Sequence, residues 1–180
     1  MKASTHILRI GICGGVMRVR SALETVENKL WSNARVSIRP LKTEADLIYA
    51  AYECQLNDWQ KELVNPAWFS IGRAYLFRDD NYPCIICNAQ MTPIGFINLC
   101  KWLGEGNAFS WSYYIDKDHQ GKGYGKSAAE AAIQILKAAS PEMPIKLATE
   151  KGNEKARRLY TSLGFRLLPE LDGDDLVFGL

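Results

Sequence analysis

A glycine-rich stretch before a predicted helix is the part of the sequence best suited to chemistry. It follows a predicted strand and contains Gly121, Gly123 and Gly125, with Lys122 and Lys126 beside them. Glycines let the backbone approach a ligand closely, and the free amides at a helix start favour phosphate. The stretch therefore indicates an anion site, although a glycine-rich loop without any ligand would have the same composition.

The spacing of these glycines excludes two common phosphate-binding loops. A Walker loop requires G-x-x-x-x-G-K-S/T, which this stretch lacks, and its glycines do not fit the G-x-G-x-x-G of a Rossmann fold. The preceding half of the chain also predicts an antiparallel meander, whereas a Rossmann fold needs a strand–helix–strand unit. The predicted anion site is therefore of another kind.

A second segment, residues 153–165, predicts a helix with one apolar face. Four of its residues follow the spacing i, i+3, i+4 and i+7, namely Ala156, Leu159, Tyr160 and Leu163. Periodicity alone favours a core position for Tyr160 over a ligand contact. Asn153 suits the N-cap of this helix, and that position is compatible with a ligand role as well.

The elements that must position these segments follow from hydrophobic periodicity. We predict strands at residues 36–41, 83–89, 94–102, 108–115, 145–149, 165–168 and 176–180. We predict helices from Thr43 to about residue 56, over 59–75 with a break near Pro66, and over 126–139 and 153–163. The fold class is therefore α+β, a mixture of helices with a largely antiparallel first half.

The length of the chain and the distribution of charge along it indicate one domain with a basic segment before it. Its 180 residues suit one domain with an appendage. The net charge is +2, but residues 1–35 carry six basic and two acidic residues. We predict that 1–35 is an N-terminal extension with a short helix, opened by the capping box Ser21–Glu24, and that the domain spans 36–180. A strand at residues 7–13 also fits the pattern.

The composition indicates a cytoplasmic protein. No apolar run approaches the length of a membrane span, and Arg9 interrupts the only stretch that resembles a signal peptide. The five cysteines are odd in number and lack a framework spacing, so we expect reduced thiols. Cys84 and Cys87 point to opposite faces of a strand, so we expect neither a metal site nor a disulfide there. The balanced charge argues against a nucleic-acid partner.

Together, the two segments resemble the GNAT superfamily of N-acetyltransferases. Residues 120–125 fit R/Q-x-x-G-x-G/A, and residues 153–165 fit N-x-x-A-x-x-L-Y-x-x-x-G-F in the same strand–loop–helix contexts. The resemblance covers residues 36–180. It implies a GNAT fold, in which a central mixed and mostly antiparallel sheet is flanked by helices and its splayed strands form an acetyl-CoA cleft.

The resemblance also implies roles for individual residues. Tyr160 would be the general acid that protonates the departing thiolate, and Asn153 would contact the pantetheine. Acetyl-CoA would be the cosubstrate, and no metal is implied. The implied cofactor contacts are Tyr114, Ile115, Gln120, Gly121, Lys122, Gly123, Tyr124, Gly125, Lys126, Asn153 and Ala156.

A narrower resemblance is to bacterial spermine and spermidine acetyltransferases. It rests on residues 53–66, 70–75, 82–86 and 94–96 and on the ending 170–177. Many of these relatives carry charged residues on the strand before the loop, where this chain has Phe-Ser-Trp-Ser-Tyr-Tyr at 109–114. We therefore expect a small cationic amine as acceptor, with polyamines as one class within it.

Such an acceptor needs a base and acidic surroundings. An alkyl ammonium with a pKa of about 10.4 is almost fully protonated at pH 7, at a cost of roughly 4.6 kcal/mol for the free amine. Glu53, Asp58 and Glu62 are the candidates, and Asp58 and Glu62 would share a helix face if that helix is continuous. A solvated acidic surface would have the same residues.

Other functions stay open at this stage. A peptide α-amine or an antibiotic amine could be the acceptor, and the chain could be a non-catalytic acetyl-CoA-binding module. The partner would be a small molecule, with neither nucleic acid nor membrane involved, and a homodimer is compatible with the sequence.

Overall fold

The computed structural model describes residues 18–180. They form two sheets and the helices that pack around them. In chain order the strands are β1 (Val36–Pro40), β2 (Asn81–Asn88), β3 (Pro93–Lys101), β4 (Phe109–Ile115), β5 (Lys146–Thr149), β6 (Arg166–Asp172) and β7 (Asp175–Gly179). The helices are α1 (Val19–Glu24), α2 (Glu44–Ile48), α3 (Ala67–Leu76), α4 (Tyr124–Ala139) and α5 (Glu154–Ser162). The larger sheet has the order β1-β2-β3-β4 and the smaller sheet β5-β7-β6, both antiparallel.

Helices cover both faces of the larger sheet. On one face, α1 and α4 pack over Ile86 and its neighbours to form the main core. On the other face, the π-helical turn Tyr49–Glu53 and α3 pack over Ile85 and Phe96. Successive strand residues point to opposite faces, so β2 is apolar on both sides. The main core continues into the smaller sheet through Phe178.

The two sheets touch at one point and then separate. Strand β4 is the edge of the larger sheet and β5 is the edge of the smaller one. Within residues 18–180 they meet in a single parallel bridge between Phe109 and Ile145, at the start of each strand. Toward their carboxyl ends the two strands diverge, and the space between them is where the candidate site lies.

The predicted fold class and the predicted strands are confirmed. Strands β1 to β5 agree with the sequence pattern to within two residues at each end. The exception is β6, which the pattern ends at residue 168 and the structure continues to Asp172. Its pairing with β7 is irregular between Leu167 and Leu171, and this irregularity carries the strand past Pro169. The strand considered at residues 7–13 lies outside the described residues.

One helix prediction is confirmed in part, and one is wrong. The helix predicted over 59–75 is confirmed only after its predicted break at Pro66, which is the N-cap of α3; before the break, Asp58–Gln60 forms a 3₁₀ turn in place of a helix. The capping box predicted at Ser21 is absent, because α1 begins at Val19 and Ser21 lies inside it. The burial of Val19 and of Leu23, one turn later, sets this start.

The segment before β1 packs against the same core as the sheets. Val19 and Leu23 are fully buried among residues of β2, β3 and α4. The Asn33 side-chain amide donates to the carbonyl oxygen of Ser127 in the first turn of α4, at 2.8 Å. The part of the predicted extension that the structure describes is therefore attached to the sheet and to α4, and a boundary at residue 36 stays a prediction.

The cysteines of the described residues are unpaired. They are Cys54, Cys84, Cys87 and Cys100. Cys84 belongs to the main core and Cys87 to the core on the other face of β2, so the prediction that they point apart is confirmed. Across residues 18–180, every helix is too short or too polar to cross a membrane.

An ion pair between a half-buried arginine and a buried aspartate connects β1 with α2. A side-chain oxygen of Asp46 lies 2.6 Å from the Arg39 guanidinium, and the Asp46 side chain is only 5% exposed. The same carboxylate accepts from the Lys42 and Thr43 amides, and Thr43 caps α2 as predicted. The guanidinium contributes most to holding the pKa of Asp46 well below its usual range.

We predict that Asp46→Asn destabilises the fold by about 2–4 kcal/mol at pH 7, because it leaves the Arg39 guanidinium without its partner. A carboxyl whose pKa is lowered by folding contributes stability above its unfolded pKa of about 3.9 and loses it as the pH falls. Urea unfolding at pH 7 and pH 3.5 should therefore show the gap between wild type and variant narrowing in acid. Asp79→Asn, at an exposed pair with Arg18, is the control and should cost under about 1 kcal/mol.

Candidate functional site

A cavity of about 520 Å³ opens where β4 and β5 separate. Its lining comes from the end of β4, the glycine loop (residues 120–125) with the start of α4, the start of α5, and the segment 59–65. The two motifs singled out in the sequence therefore lie on the same cavity. Of the cofactor contacts implied by the resemblance, all but Lys122 line it.

Two glycines give the glycine loop its shape. Gly121 and Gly123 have φ values of +74° and +81°, in the left-handed region that side chains rarely adopt. Gly123 is the N-cap of α4, a helix of 16 residues, so free amides of the first turn face the cavity region. These donors and the positive end of the helix dipole suit a phosphate group.

Gln120 has a supporting role that its motif did not indicate. Its Nε2 donates to the carbonyl oxygen of Ile115 at 2.8 Å and to Oε1 of Gln60 at 2.7 Å. Its Oε1 accepts from Nδ2 of Asn57 at 3.1 Å. The side chain thus joins the loop to the end of β4 and to the turn at residues 57–60. Gln120 also lines the cavity, and its role as a cofactor contact stays a prediction.

Two tyrosines at the end of β4 have different partners. The Tyr113 hydroxyl donates to the carbonyl oxygen of Gly125 at 3.0 Å, which holds the start of α4 against the strand. The Tyr114 hydroxyl accepts from the amide of Ala67 at 3.2 Å, on the opposite face of the sheet. The Tyr114 side chain is buried there, so its backbone is the part that can contact a ligand in the cavity, as the resemblance implies.

Asn153 caps α5 as predicted. Its Oδ1 accepts from the amide of Ala156 at 3.1 Å, and both residues line the cavity. The cap occupies the oxygen of the side-chain amide and leaves the Nδ2 donors available. Asn153 can therefore stabilise the helix and contact a ligand at the same time.

Tyr160 lies on the wall formed by α5, and aromatic rings hold it in place. Its ring packs on Phe165 and Phe178, with centroid separations of 5.8 and 5.7 Å. Its hydroxyl has no hydrogen-bond partner within residues 18–180, and the side chain lines the cavity. Burial raises the pKa of Tyr160 to about 12, so the hydroxyl keeps its proton at neutral pH.

The predicted carboxylates lie outside the cavity. Glu53 is exposed at the end of the π-helical turn, and Asp58 is paired with Lys61 at 2.6 Å with its side chain 96% exposed. Asp58 and Glu62 do not share a helix face, because the predicted helix is replaced by a turn there. Within the described residues, the lining contains no aspartate or glutamate. The structure thus brings neither Glu53 nor Asp58 to the place where an acceptor would react.

Two contacts at or beside the cavity were not predicted. The Lys155 ammonium lies over the Trp59 ring, 5.2 Å from its centroid, and connects the segment 59–65 with α5. Arg35 contacts the glycine loop. No spacing rule links these residues, since 96 positions separate Lys155 from Trp59. Within the described residues, no group of three or more metal-binding side chains could hold a metal ion.

Splayed sheet edges with a phosphate-suited loop at their mouth are the features that the GNAT resemblance implied. Comparison with known families identifies the class: the chain belongs to the acetyltransferase (GNAT) family, whose model matches residues 45–165. The protein is therefore an acetyltransferase, and the predicted family resemblance is confirmed. Acetyl-CoA is the acetyl donor of this family.

Known relatives support the narrower resemblance. The chain is 42% identical over 68 residues to a probable spermine N(1)-acetyltransferase of Bacillus subtilis subsp. natto, covering 38% of this chain and 45% of the relative. The match thus spans less than half the length of that curated protein. The resemblance to spermine and spermidine acetyltransferases is confirmed to this extent.

Solved structures share the fold at low sequence identity. A spermidine N-acetyltransferase SpeG chimera from Vibrio cholerae and hSSAT has a TM-score of 0.61 and 18% identity, covering 81% of this chain and 93% of that chain. The aminoglycoside acetyltransferase AAC(6')-Ib, in complex with coenzyme A, has a TM-score of 0.62 and 21% identity, covering 80% and 92%. At these identities the likeness shows the fold.

The donor groups of the cavity fit acetyl-CoA. The loop amides of Gly121 and Gly123 and the start of α4 could hold the pyrophosphate. The free edge of β4 and Nδ2 of Asn153 offer hydrogen bonds to the amides of a pantetheine arm. The positions of these groups also suit acetyl-CoA, because the loop and the strand edge line the same cavity.

We predict that Gly123→Glu reduces coenzyme A affinity at least 100-fold, because the added carboxylate would lie at the loop, beside Arg35, and repel phosphate groups there. Calorimetric titration with coenzyme A measures the effect. Gly173→Glu is a matched control, since Gly173 also has a positive φ, +63°, in the open β6–β7 turn. The control carries the same backbone strain and added charge and should bind normally. Near-normal affinity in Gly123→Glu would contradict the assignment of the loop.

Proposed function

We propose that the protein transfers the acetyl group of acetyl-CoA to a primary amine of a small cationic acceptor, with polyamines as the leading class, by direct attack in a ternary complex. One observation supports this most. The phosphate-suited loop and the unpartnered hydroxyl of Tyr160 lie on two walls of one cavity, with the free edge of β4 between them. Acetyl-CoA would supply an activated thioester carbonyl there.

Direct attack agrees with the placement of the cysteines. Of those in residues 18–180, none lines the cavity. Burial raises the pKa of the Cys54 thiol to about 12, so the thiolate needed for an acyl-enzyme is scarce at neutral pH. The acceptor amine itself is then the nucleophile, and backbone amides on the free edge of β4 stabilise the oxyanion.

Tyr160 acts on the leaving sulfur as a hydrogen-bond donor. An alkyl thiol has a pKa of about 8.5, against about 12 for Tyr160, so complete proton transfer from the hydroxyl to a free thiolate costs about 5 kcal/mol. The hydroxyl therefore stabilises the sulfur most while its charge develops. The proton that finally neutralises the thiolate comes from the attacking amine, which loses one as the amide forms.

The Trp59 ring is the surface that takes the acceptor cation. Lys155 demonstrates the geometry, because its primary alkylammonium already lies over this ring. Trp59 is 53% exposed and lines the cavity, so an acceptor ammonium can replace that of Lys155. A desolvated cation–π contact contributes about 2 kcal/mol. The spermine acetyltransferase relative supports an alkyl polyamine as this acceptor.

The attacking amine must lose a proton before it reacts. An amine with a pKa of about 10.4 exists mainly as ammonium at pH 7. The cavity is open to solvent, so water can accept this proton. We therefore expect kcat/KM for the acceptor to rise about tenfold per pH unit between pH 7 and pH 9.

We predict that Tyr160→Phe lowers kcat about 100-fold and leaves coenzyme A affinity within twofold, because the hydroxyl acts on the developing sulfur charge. Thiol release and calorimetry measure the two quantities. Tyr75→Phe, at a residue 87% exposed, serves as the control. An unchanged kcat in Tyr160→Phe would show that Tyr160 has no catalytic role and only packs against its neighbours. Since its pKa is raised, ionisation of Tyr160 should cause no loss of rate below about pH 11.

An amine panel tests the acceptor. We expect thiol release with spermidine, and we expect Trp59→Leu to raise the KM for spermidine about tenfold while leaving coenzyme A affinity unchanged. Lys155→Met should lower that KM, because it frees the ring. A peptide or an aminoglycoside as the preferred substrate would replace the polyamine assignment. Tight coenzyme A binding with no thiol released for any amine would instead indicate a non-catalytic acetyl-CoA-binding module.

A further inference from the structure

Arg35 contacts the glycine loop, far from it in sequence. Its guanidinium donates to the carbonyl oxygen of Lys122 at 2.6 Å. The same group lies 5.6 Å from the centroid of the Tyr124 ring and about 3.6 Å from the position of a Cβ on Gly123. Arg35 thus contacts Lys122 and Tyr124 and lies beside the Gly123 between them, where the loop becomes helix α4.

A second contact fixes the backbone from which Arg35 projects. The Oδ1 of Asn33 accepts from the Arg35 amide at 3.0 Å and from the Val36 amide at 3.1 Å. Its Nδ2 donates into the first turn of α4, to the carbonyl oxygen of Ser127. The position of Arg35 is therefore set by the helix whose N-terminus forms part of the phosphate-suited loop.

The Arg35 guanidinium has a charge without a carboxylate partner and hydrogen-bond donors that are not in use. Within residues 18–180 it forms no ion pair with a carboxylate. A guanidinium has five N–H donors, and the contact with Lys122 uses one of them. The side chain is exposed, so the others can reach a ligand. Planar, weakly hydrated guanidinium groups suit phosphate oxygens and can bind them through two parallel hydrogen bonds.

The neighbouring lysines are less free. Lys122 directs its ammonium to the carbonyl oxygen of Asp118 at 2.8 Å, away from the cavity lining. Lys126 lies 4.0 Å from Glu130 on the next turn of α4. Arg35 and Lys122 thus have no carboxylate partner among the described residues, and the guanidinium of Arg35 has more unused donors than the ammonium of Lys122. Arg35 is also a residue that neither motif contains.

We infer that Arg35 binds the phosphate groups of the CoA cosubstrate at the rim of the glycine loop. The inference rests on the proposed use of acetyl-CoA at this loop. The 3′-phosphate and the pyrophosphate share the chemistry that a guanidinium recognises, and 3′-dephospho-coenzyme A distinguishes them. The segment before β1 thereby contributes to the cofactor site.

Arg35→Gln tests the charge separately from the hydrogen bond. A glutamine side chain removes the cation but keeps an amide donor beside the loop. Because it ends two bonds short of the arginine Nη atoms, the salt dependence of binding is the readout that separates lost charge from lost support of the loop. We expect Arg35→Gln and Arg35→Ala to weaken coenzyme A binding alike, about 10- to 100-fold, in calorimetric titration. The dependence of affinity on salt should also weaken, because one phosphate contact is lost. Arg166→Gln, an exposed arginine on the outer strand β6, should bind coenzyme A normally.

Each outcome of these measurements assigns a different role to Arg35. An equal loss with 3′-dephospho-coenzyme A assigns Arg35 to the pyrophosphate, and a loss confined to coenzyme A assigns it to the 3′-phosphate. If Arg35→Gln binds coenzyme A within twofold of wild type while Arg35→Ala does not, Arg35 only supports the loop and the inference is wrong. Binding is measured without an acceptor, so failure of the amine assignment leaves this test intact. Wild-type protein that fails to bind coenzyme A would overturn both.

Discussion

The single bridge between β4 and β5 is the constraint on which the site depends. Phe109 and Ile145 join the two sheets at one end, and beyond them the facing strand edges diverge. An unpaired strand edge carries amide and carbonyl groups that need partners. Water or a ligand with amides of its own can supply them, and a pantetheine arm has such amides. The cavity exists because the strands do not continue as one sheet.

The surroundings of this cleft are held by side chains that contact protein more than ligand. Gln120 ties the glycine loop to β4 and to the turn at residues 57–60, and Tyr113 ties β4 to the start of α4. The aromatic neighbours of Tyr160 fix its ring and leave its hydroxyl free. Because these donors are already in position, they need little reorganisation as charge develops in the transition state, and the site can stabilise that charge.

In the proposed mechanism, the Trp59 ring has the role that the sequence suggested for carboxylates. Asp58 is adjacent to Trp59 in sequence, but it faces solvent and pairs with Lys61. A charged neighbour on a short turn can point either way, and the pattern of apolar residues does not distinguish these orientations. Recognition of an ammonium by an aromatic face requires no carboxylate and still selects for positive charge.

The sequence by itself determined the elements with strong local signals. Apolar alternation located the strands, the glycines located the loop, and the N-cap preference located the start of α5 at Asn153. These signals act within a few residues of one another, so a linear pattern records them. Tertiary structure alone decided that Glu53 and Asp58 lie outside the cavity, that Gln120 joins the loop to β4, that Trp59 and Lys155 line the cavity, and that Arg35 contacts the glycine loop. Those positions depend on how distant segments pack against each other, and packing is set by the whole core.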